Sequence, residues 1–150
     1  MARRLNGGDT GRFTDVTCVP DATLATEITA LVALGTVVEG SKLVSNTFSN
    51  NCEVTSPADG AIPDGRIMTV EKDATNTYLL TVRMWSYVDT NAARHSSPVL
   101  VYLPYDTALA LHDSVVIDGS TYMYVKDGTS GGFGAVWDLD TTNEEVGVLI

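Results

Sequence analysis

Alternating apolar and polar positions dominate the chain from Thr36 onward. The longest run is Tyr78–Val88, in which Leu80, Val82 and Met84 would share one face of a strand. Shorter β-rich runs are expected near 53–55, at 66–72, at 98–104 and around Trp137. The apolar terminus at 146–150 is expected to pack into a sheet or an interface. Turn-forming Gly, Pro, Asp and Asn residues separate them. This spacing of short strands is typical of an antiparallel barrel or sandwich.

The clearest local signal is a hairpin within 111–127. Ser114–Ile117 and Ser120–Lys126 are the predicted strands, and Asp118-Gly119 is the predicted two-residue turn between them. Such a turn holds both central residues at positive φ, which Gly tolerates freely and Asp better than most residues. We therefore predict Ile117 and Ser120 as the residues that flank a tight turn.

One segment has helical rather than alternating spacing. From Asp21 to Leu34, apolar residues recur at the intervals of a helix face: Leu24, Ile28, Leu31, Val32 and Leu34. Asp21 or Thr23 is expected to cap the start of this helix, and Gly35 is expected to end it at C′. The threonines and Val32 also suit a strand, which leaves that alternative open.

The first fourteen residues contain three glycines and no hydrophobic period, so we interpret 1–14 as an extended arm. The fold class predicted for the chain is mainly β. It consists of a single compact antiparallel β-barrel or sandwich-like domain, residues 15–150, with one or two short helices and an extended N-terminal arm.

The net charge of -10 argues against a protein that binds nucleic acid directly, because such a protein needs a basic face. The charge is unevenly distributed: Arg3, Arg4 and Arg12 lie in the first twelve residues, whereas eight acids and one base, Lys126, follow Pro104. A basic arm suits contact with an acidic surface, such as that of a neighbouring copy; a solvated, frayed terminus is the alternative. No window approaches the ~20 apolar residues of a membrane span, and we expect a soluble protein made in a reducing cytosol.

The residues capable of chemistry are scattered. Cys18, Cys52, His95 and His112 lack the paired spacing of a zinc site, and two free thiols are expected, with a bridge left open. No G-x-S-x-G elbow is present, and Asp138, Asp140 and Asn143 match only part of a calcium loop. We therefore predict no enzymatic activity, no metal and no cofactor. Aromatic residues on the predicted strands leave sugar binding open: Trp85, Tyr87, Tyr102, Tyr105, Tyr122 and Tyr124.

Three segments between residues 59 and 150 carry a resemblance. They are DGAIPDGRIMTV at 59–70, HDSVVIDGSTYMYV at 112–125 and AVWDLDTTNEEVGVLI at 135–150, which contains V-G-V-L. Together they resemble the capsid decoration (cement, head-stabilising) proteins of tailed bacteriophages. The resemblance implies a non-enzymatic virion protein made in the bacterial cytoplasm and bound to the outer capsid surface. It also implies that trimers, or else dimers, clamp neighbouring major capsid subunits after expansion, with an N-terminal arm that reaches across them.

If this resemblance holds, the partners are the major capsid protein and copies of the chain itself, with no membrane and no direct nucleic acid. The residues expected to contact them come from the arm and from the glycine-rich loop at 128–134: Arg3, Arg4, Leu5, Arg12, Phe13, Gly131 and Phe133. Two other classes of function remain as alternatives. One is another phage structural component, such as a tail-tube or neck protein, and the other is a carbohydrate-binding β-module or small hydrolase.

Overall fold

The computed structural model describes residues 11–47, 52–58, 61–96, 98–105, 108–117, 125–127, 132–142 and 144–150. Of the described residues, 48% lie in strands and 10% in the helix, so the protein is mainly β, which confirms the predicted fold class. The described elements are helix α1 (Ala22–Ala33) and strands β1 (Thr14–Pro20), β2 (Leu43–Asn46), β3 (Glu53–Thr55), β4 (Gly65–Lys72), β5 (Tyr78–Met84), β6 (Ser86–Val88), β7 (Arg94–Ser96), β8 (Leu100–Pro104), β9 (Val115–Ile117), β10 (Val125–Asp127), β11 (Ala135–Asp140) and β12 (Glu145–Leu149).

The chain groups into two compact units. The barrel unit comprises the described residues of 13–57 and 63–96. The C-terminal unit comprises the described residues of 97–150, with residues 11–12 and the described residues of 58–62.

The barrel unit closes in the order β1-β3-β2-β4-β5. Strand β1 completes the closure, because it pairs antiparallel with β5 and parallel with β3. The predicted alternation in β5 is confirmed, since Leu80 and Val82 are buried inside the barrel. Burial of each such side chain stabilises the fold by roughly 1.5–3 kcal/mol. The buried core of this unit is Cys18, Leu24, Ile28, Val38, Val44, Val54, Ile67, Leu80 and Val82.

Helix α1 forms where the sequence predicts it and has both of the expected caps. The Asp21 carboxylate accepts a hydrogen bond of 2.8 Å from Leu24 N at the start. At the end, Gly35 has φ +76, and its N–H donates to Val32 O at 3.0 Å. Thr36 N also donates to Leu31 O at 3.0 Å, which completes a Schellman motif. Leu24 and Ile28 hold the inner face of the helix against the core.

The Tyr78–Val88 run is not one strand, because the chain leaves the barrel sheet at Trp85. The indole of Trp85 is buried, and its Nε1 donates to Pro63 O at 2.9 Å. Strand β6 then pairs with β7 in a separate two-stranded ribbon. Strand β7 therefore lies within the polar segment 89–97. The described residues 108–111 form no helical turn.

In the C-terminal unit, β12 is the central strand of the sheet β11-β12-β8. Val146 and Val148 are fully buried, as expected for an apolar chain end that packs into a sheet. Strands β9 and β10 form the predicted antiparallel pair, but Ile117 pairs with Val125. A two-residue turn at Asp118-Gly119 would pair Ile117 with Ser120, so the predicted register is wrong; residues 118–124 lie outside the described part.

Candidate contact surface

Three large apolar side chains are exposed at the end of α1. Val32, Leu34 and Val37 have exposed fractions of 55%, 81% and 71%. The sequence pattern placed Val32 and Leu34 on the inner face of the helix, and this was wrong: the core contacts of α1 come from Leu24 and Ile28, with Leu31 packed beside them. A cluster of apolar side chains in water is unfavourable, and such clusters commonly mark interaction sites.

The outer face of α1 continues this surface with small side chains. Ala25, Thr26, Thr29, Ala30 and Ala33 line a shallow depression of ≈ 440 Å³. The two threonine hydroxyls donate to helix carbonyls at 3.0 and 2.9 Å, so their polarity is largely satisfied within the helix. Small side chains allow a partner to approach the helix closely. We call these five residues together with Val32, Leu34 and Val37 the helix contact surface.

A buried polar cluster fixes α1 on the barrel. The Lys42 side chain is fully buried, and its Nζ lies 3.5 Å from Glu27 Oε2 on α1. Nζ also donates to Ser56 Oγ at 2.9 Å, and that hydroxyl in turn donates to Glu27. The cluster therefore joins the helix to the segments that flank β2 and β3. Sequence reasoning missed it because the three residues are far apart along the chain.

Burial lowers the pKa of Lys42 to about 8, although the charge and hydrogen bond of Glu27 act in the opposite direction. In the folded state the amine therefore loses its proton more readily than in the unfolded chain, where its pKa is 10.5. Between these two values the unfolded chain binds more protons, so stability rises with pH. We expect a gain of about 3 kcal/mol from Lys42 as the pH rises from 8 to 10.5.

Cys18 acts in the opposite direction, because burial and the charge of Cys52 raise its pKa from 9.0 to about 11. The contribution of Cys18 to stability is lost as the pH rises from 9.0 to about 11.

Urea denaturation of the wild type and of Lys42→Met at several pH values isolates the effect of the lysine. The difference in free energy of unfolding between the two proteins should rise from pH 8 onward. A difference that is independent of pH would contradict the assignment.

The predicted contact residues are only partly within the described chain. Arg3, Arg4, Leu5 and Gly131 lie outside it. Arg12 is exposed, and the Phe13 ring lies 5.6 Å from the Arg83 guanidinium. Phe133 is only 3% exposed and pairs through its backbone with Val115, so its side chain presents almost no surface to a partner.

The arm boundary predicted at residue 14 is also too late in the chain. Thr14 is the first residue of β1 and pairs with Met84. Gly11 lies so close to Val99 that an added Cβ would be 2.7 Å from Val99 Cγ1. Residues 11–14 are therefore part of the folded protein, and any arm is confined to 1–10, outside the described residues.

The β6–β7 ribbon carries an exposed aromatic side chain, Tyr87, which is one of the six aromatic residues that the sequence suggested for sugar binding. Tyr87 is 55% exposed and stacks on the His95 ring, with centroids 4.8 Å apart. His95 Nε2 lies 2.9 Å from Asp89 Oδ2, and this hydrogen bond is the main cause of the lowered pKa of Asp89. The ribbon is anchored by Asp64 Oδ1, which accepts hydrogen bonds from Ser86 Oγ at 2.9 Å and Arg94 Nη1 at 2.7 Å.

Two other aromatic candidates are buried, whereas Tyr122 and Tyr124 lie outside the described residues. Trp85 and Tyr102 are buried, and the Tyr102 hydroxyl donates to Asp138 at 2.9 Å. Among the described residues, no group of three His, Cys, Asp or Glu side chains has the geometry to hold a metal ion. No helix in the described ranges combines the length and the apolar character that a membrane span requires.

Comparison with known proteins identifies no relative. No family model matches the chain, and no curated protein or solved structure matches it.

Proposed function

We propose that this protein is a structural component of a tailed-phage particle that binds the outer surface of the capsid and holds neighbouring major capsid subunits together. The helix contact surface carries the proposal, because Val32, Leu34 and Val37 expose apolar area that binding would remove from water. The resemblance of segments within 59–150 to capsid decoration proteins supports the choice of partner. The protein acts without enzymatic chemistry and binds as a trimer.

The barrel suits this role because it holds the contact surface rigidly. Leu24 and Ile28 of α1 are fully buried, and Lys42 and Glu27 join the helix to the barrel. A surface that is already ordered loses little conformational entropy on binding. Repetition of the same site across an icosahedral shell then allows many copies to act together.

The charge distribution supports a second contact. The protein has a net charge of -10, yet Arg3 and Arg4 lie within the first ten residues, together with Leu5. We propose that this N-terminal segment contacts the shell or an adjacent copy. Complementary charges of this kind mainly speed association and fix the register of the partners.

Replacing Val32, Leu34 and Val37 together with Ser tests the helix contact surface. The variant should remain folded, because substitutions of exposed side chains typically change stability by less than about 0.5 kcal/mol each. Loss of three apolar anchors should weaken binding by at least about 100-fold. Co-sedimentation with expanded capsids measures this, and circular dichroism checks the fold.

Leu111→Ser is the matched control, because Leu111 is 55% exposed but lies in the C-terminal unit. It should bind like the wild type. A triple variant that decorates capsids as tightly as the wild type would disprove the role of the surface. Rings or tubes formed by the protein alone would instead favour a tail-tube or neck component.

Deleting residues 1–10 tests the N-terminal segment without disturbing Phe13, which packs on Arg83, or Thr14 in β1. We expect an unchanged melting temperature and about 10-fold weaker capsid binding at low salt, with a smaller loss at high salt. Arg3→Gln with Arg4→Gln, which keeps the chain length, should reproduce most of the loss. Equal binding by the deleted and intact proteins at low salt would rule out this contact.

Carbohydrate binding is a second candidate, favoured by the exposed Tyr87–His95 stack with Asp89 beside it. Flat aromatic faces next to a carboxylate suit sugar rings, which present apolar faces and hydroxyl groups. A glycan screen distinguishes the two candidates. Affinity that is lost in Tyr87→Ala but kept in the helix-surface variant would favour sugar binding at the ribbon.

A further inference from the structure

The two cysteines of the chain lie side by side in the barrel. Strand β1 pairs parallel with β3, with Val19 opposite Glu53 and Pro20 opposite Val54. Continuing this register by one residue places Cys18 opposite Cys52. A hydrogen bond of 2.9 Å from Val19 N to Cys52 O confirms that the two segments are in contact at this point.

Residues that face each other on neighbouring strands are close enough for a disulfide. Neighbouring strands lie about 4.8 Å apart, and bridged cysteines have Cα atoms about 4.4–6.8 Å apart. Both thiols are free in the structure, Cys18 buried and Cys52 exposed. Cys52 also has φ +54, so its backbone departs from the regular strand immediately before β3. Cys52 is thus accessible to an oxidant, whereas Cys18 is buried.

We propose that Cys18 and Cys52 form an intrachain disulfide when the protein meets a small-molecule disulfide such as oxidised glutathione, and that this bond locks the segment carrying α1 and β2. The inference does not depend on capsid binding. The two thiols are expected to be free in a reducing cytosol, and the disulfide forms only where an oxidant is present.

The exchange proceeds in two balanced steps. The exposed Cys52 thiolate attacks one glutathione sulfur, which breaks the glutathione disulfide and releases one glutathione thiolate. The Cys18 thiolate then attacks Cys52 Sγ, which forms the protein disulfide and releases the second glutathione thiolate. The two cysteine thiols are oxidised, one disulfide is reduced to two glutathione molecules, and the two protein protons pass to the released thiolates.

The second step should be the slower one, because the pKa of the Cys18 thiol is raised to about 11 by burial and by the charge of Cys52. Only a small fraction of Cys18 is then thiolate at neutral pH. While the pH stays below the pKa, that fraction grows about 10-fold with each unit by which the pH rises. Conversion of the mixed disulfide to the protein disulfide should accelerate accordingly between pH 7 and 9.

The test incubates the full chain with reduced or oxidised glutathione, followed by alkylation and mass spectrometry. The oxidised protein should contain no disulfide between chains, lack two hydrogen atoms and accept no alkyl group. Lys42 lies between the cysteines, so tryptic digestion separates their peptides unless a disulfide joins them. Oxidation should also raise the melting temperature by about 5 °C or more, because the bridge constrains the unfolded chain.

Cys52→Ser is the principal control, because the residue is exposed; its melting temperature should not respond to oxidised glutathione. Cys18→Ser should retain a stable glutathione adduct on Cys52. The proposal is overturned if the intact chain stops at a glutathione adduct at pH 9, or if oxidation yields only disulfide-linked dimers.

Discussion

Replacing Glu27 with Ala is expected to destabilise the barrel unit by about 2–3 kcal/mol near neutral pH. The substitution removes the carboxylate that lies 3.5 Å from the Lys42 ammonium, while the lysine side chain remains fully buried. A buried charge that loses its counter-ion costs far more than the net contribution of an intact pair. Urea denaturation monitored by circular dichroism measures the effect.

Two further variants separate charge from packing. Glu27→Gln can still accept the hydrogen bond of Ser56 but lacks the charge, so it should show a large part of the loss. Combining Glu27→Ala with Lys42→Met should restore most of the stability, because the double variant buries no unpaired charge. If the double variant is as unstable as Glu27→Ala, the ammonium is not the source of the cost.

Replacing Gly65 with Ala is expected to cost about 4 kcal/mol or to prevent folding of the barrel unit. An added Cβ would lie 2.5 Å from Arg83 O and 3.1 Å from Arg83 C, both backbone atoms of the paired strand β5. Backbone atoms of a paired strand cannot move aside without loss of the ladder that closes the barrel. Thermal and urea denaturation would report the change.

Gly35→Ala provides the contrast, because Gly35 has φ +76 but no atom within 4 Å of the added Cβ. It should cost only about 1 kcal/mol, the penalty for a left-handed conformation. A Gly65→Ala protein as stable as Gly35→Ala would show that β4 and β5 are not as closely packed as described.

Features set by neighbours in sequence were predictable. Helix α1 was found with both caps, because Asp21 and Gly35 act on atoms within a few residues. The break at Trp85 was not predictable, since it depends on a hydrogen bond to Pro63, 22 positions away. The register of β9 and β10 was missed for a related reason: a local turn signal does not fix long-range pairing.

In the candidate site, too, the local element was predictable, whereas the exposure of its side chains was not. Apolar spacing along α1 identified the helix, but it assigned Val32 and Leu34 to the buried face. Which apolar residues remain exposed depends on how much of the helix the barrel covers. The burial of Lys42 likewise follows from tertiary packing, because lysine is among the residues least often buried.

Imaging of expanded capsids mixed with the purified protein tests the central claim most directly. Electron cryomicroscopy should show the protein at a fixed set of symmetry-related positions, with the helix surface around Val32, Leu34 and Val37 against the shell. Capsids that remain bare, or bound protein with this surface facing the solvent, would contradict the proposed function.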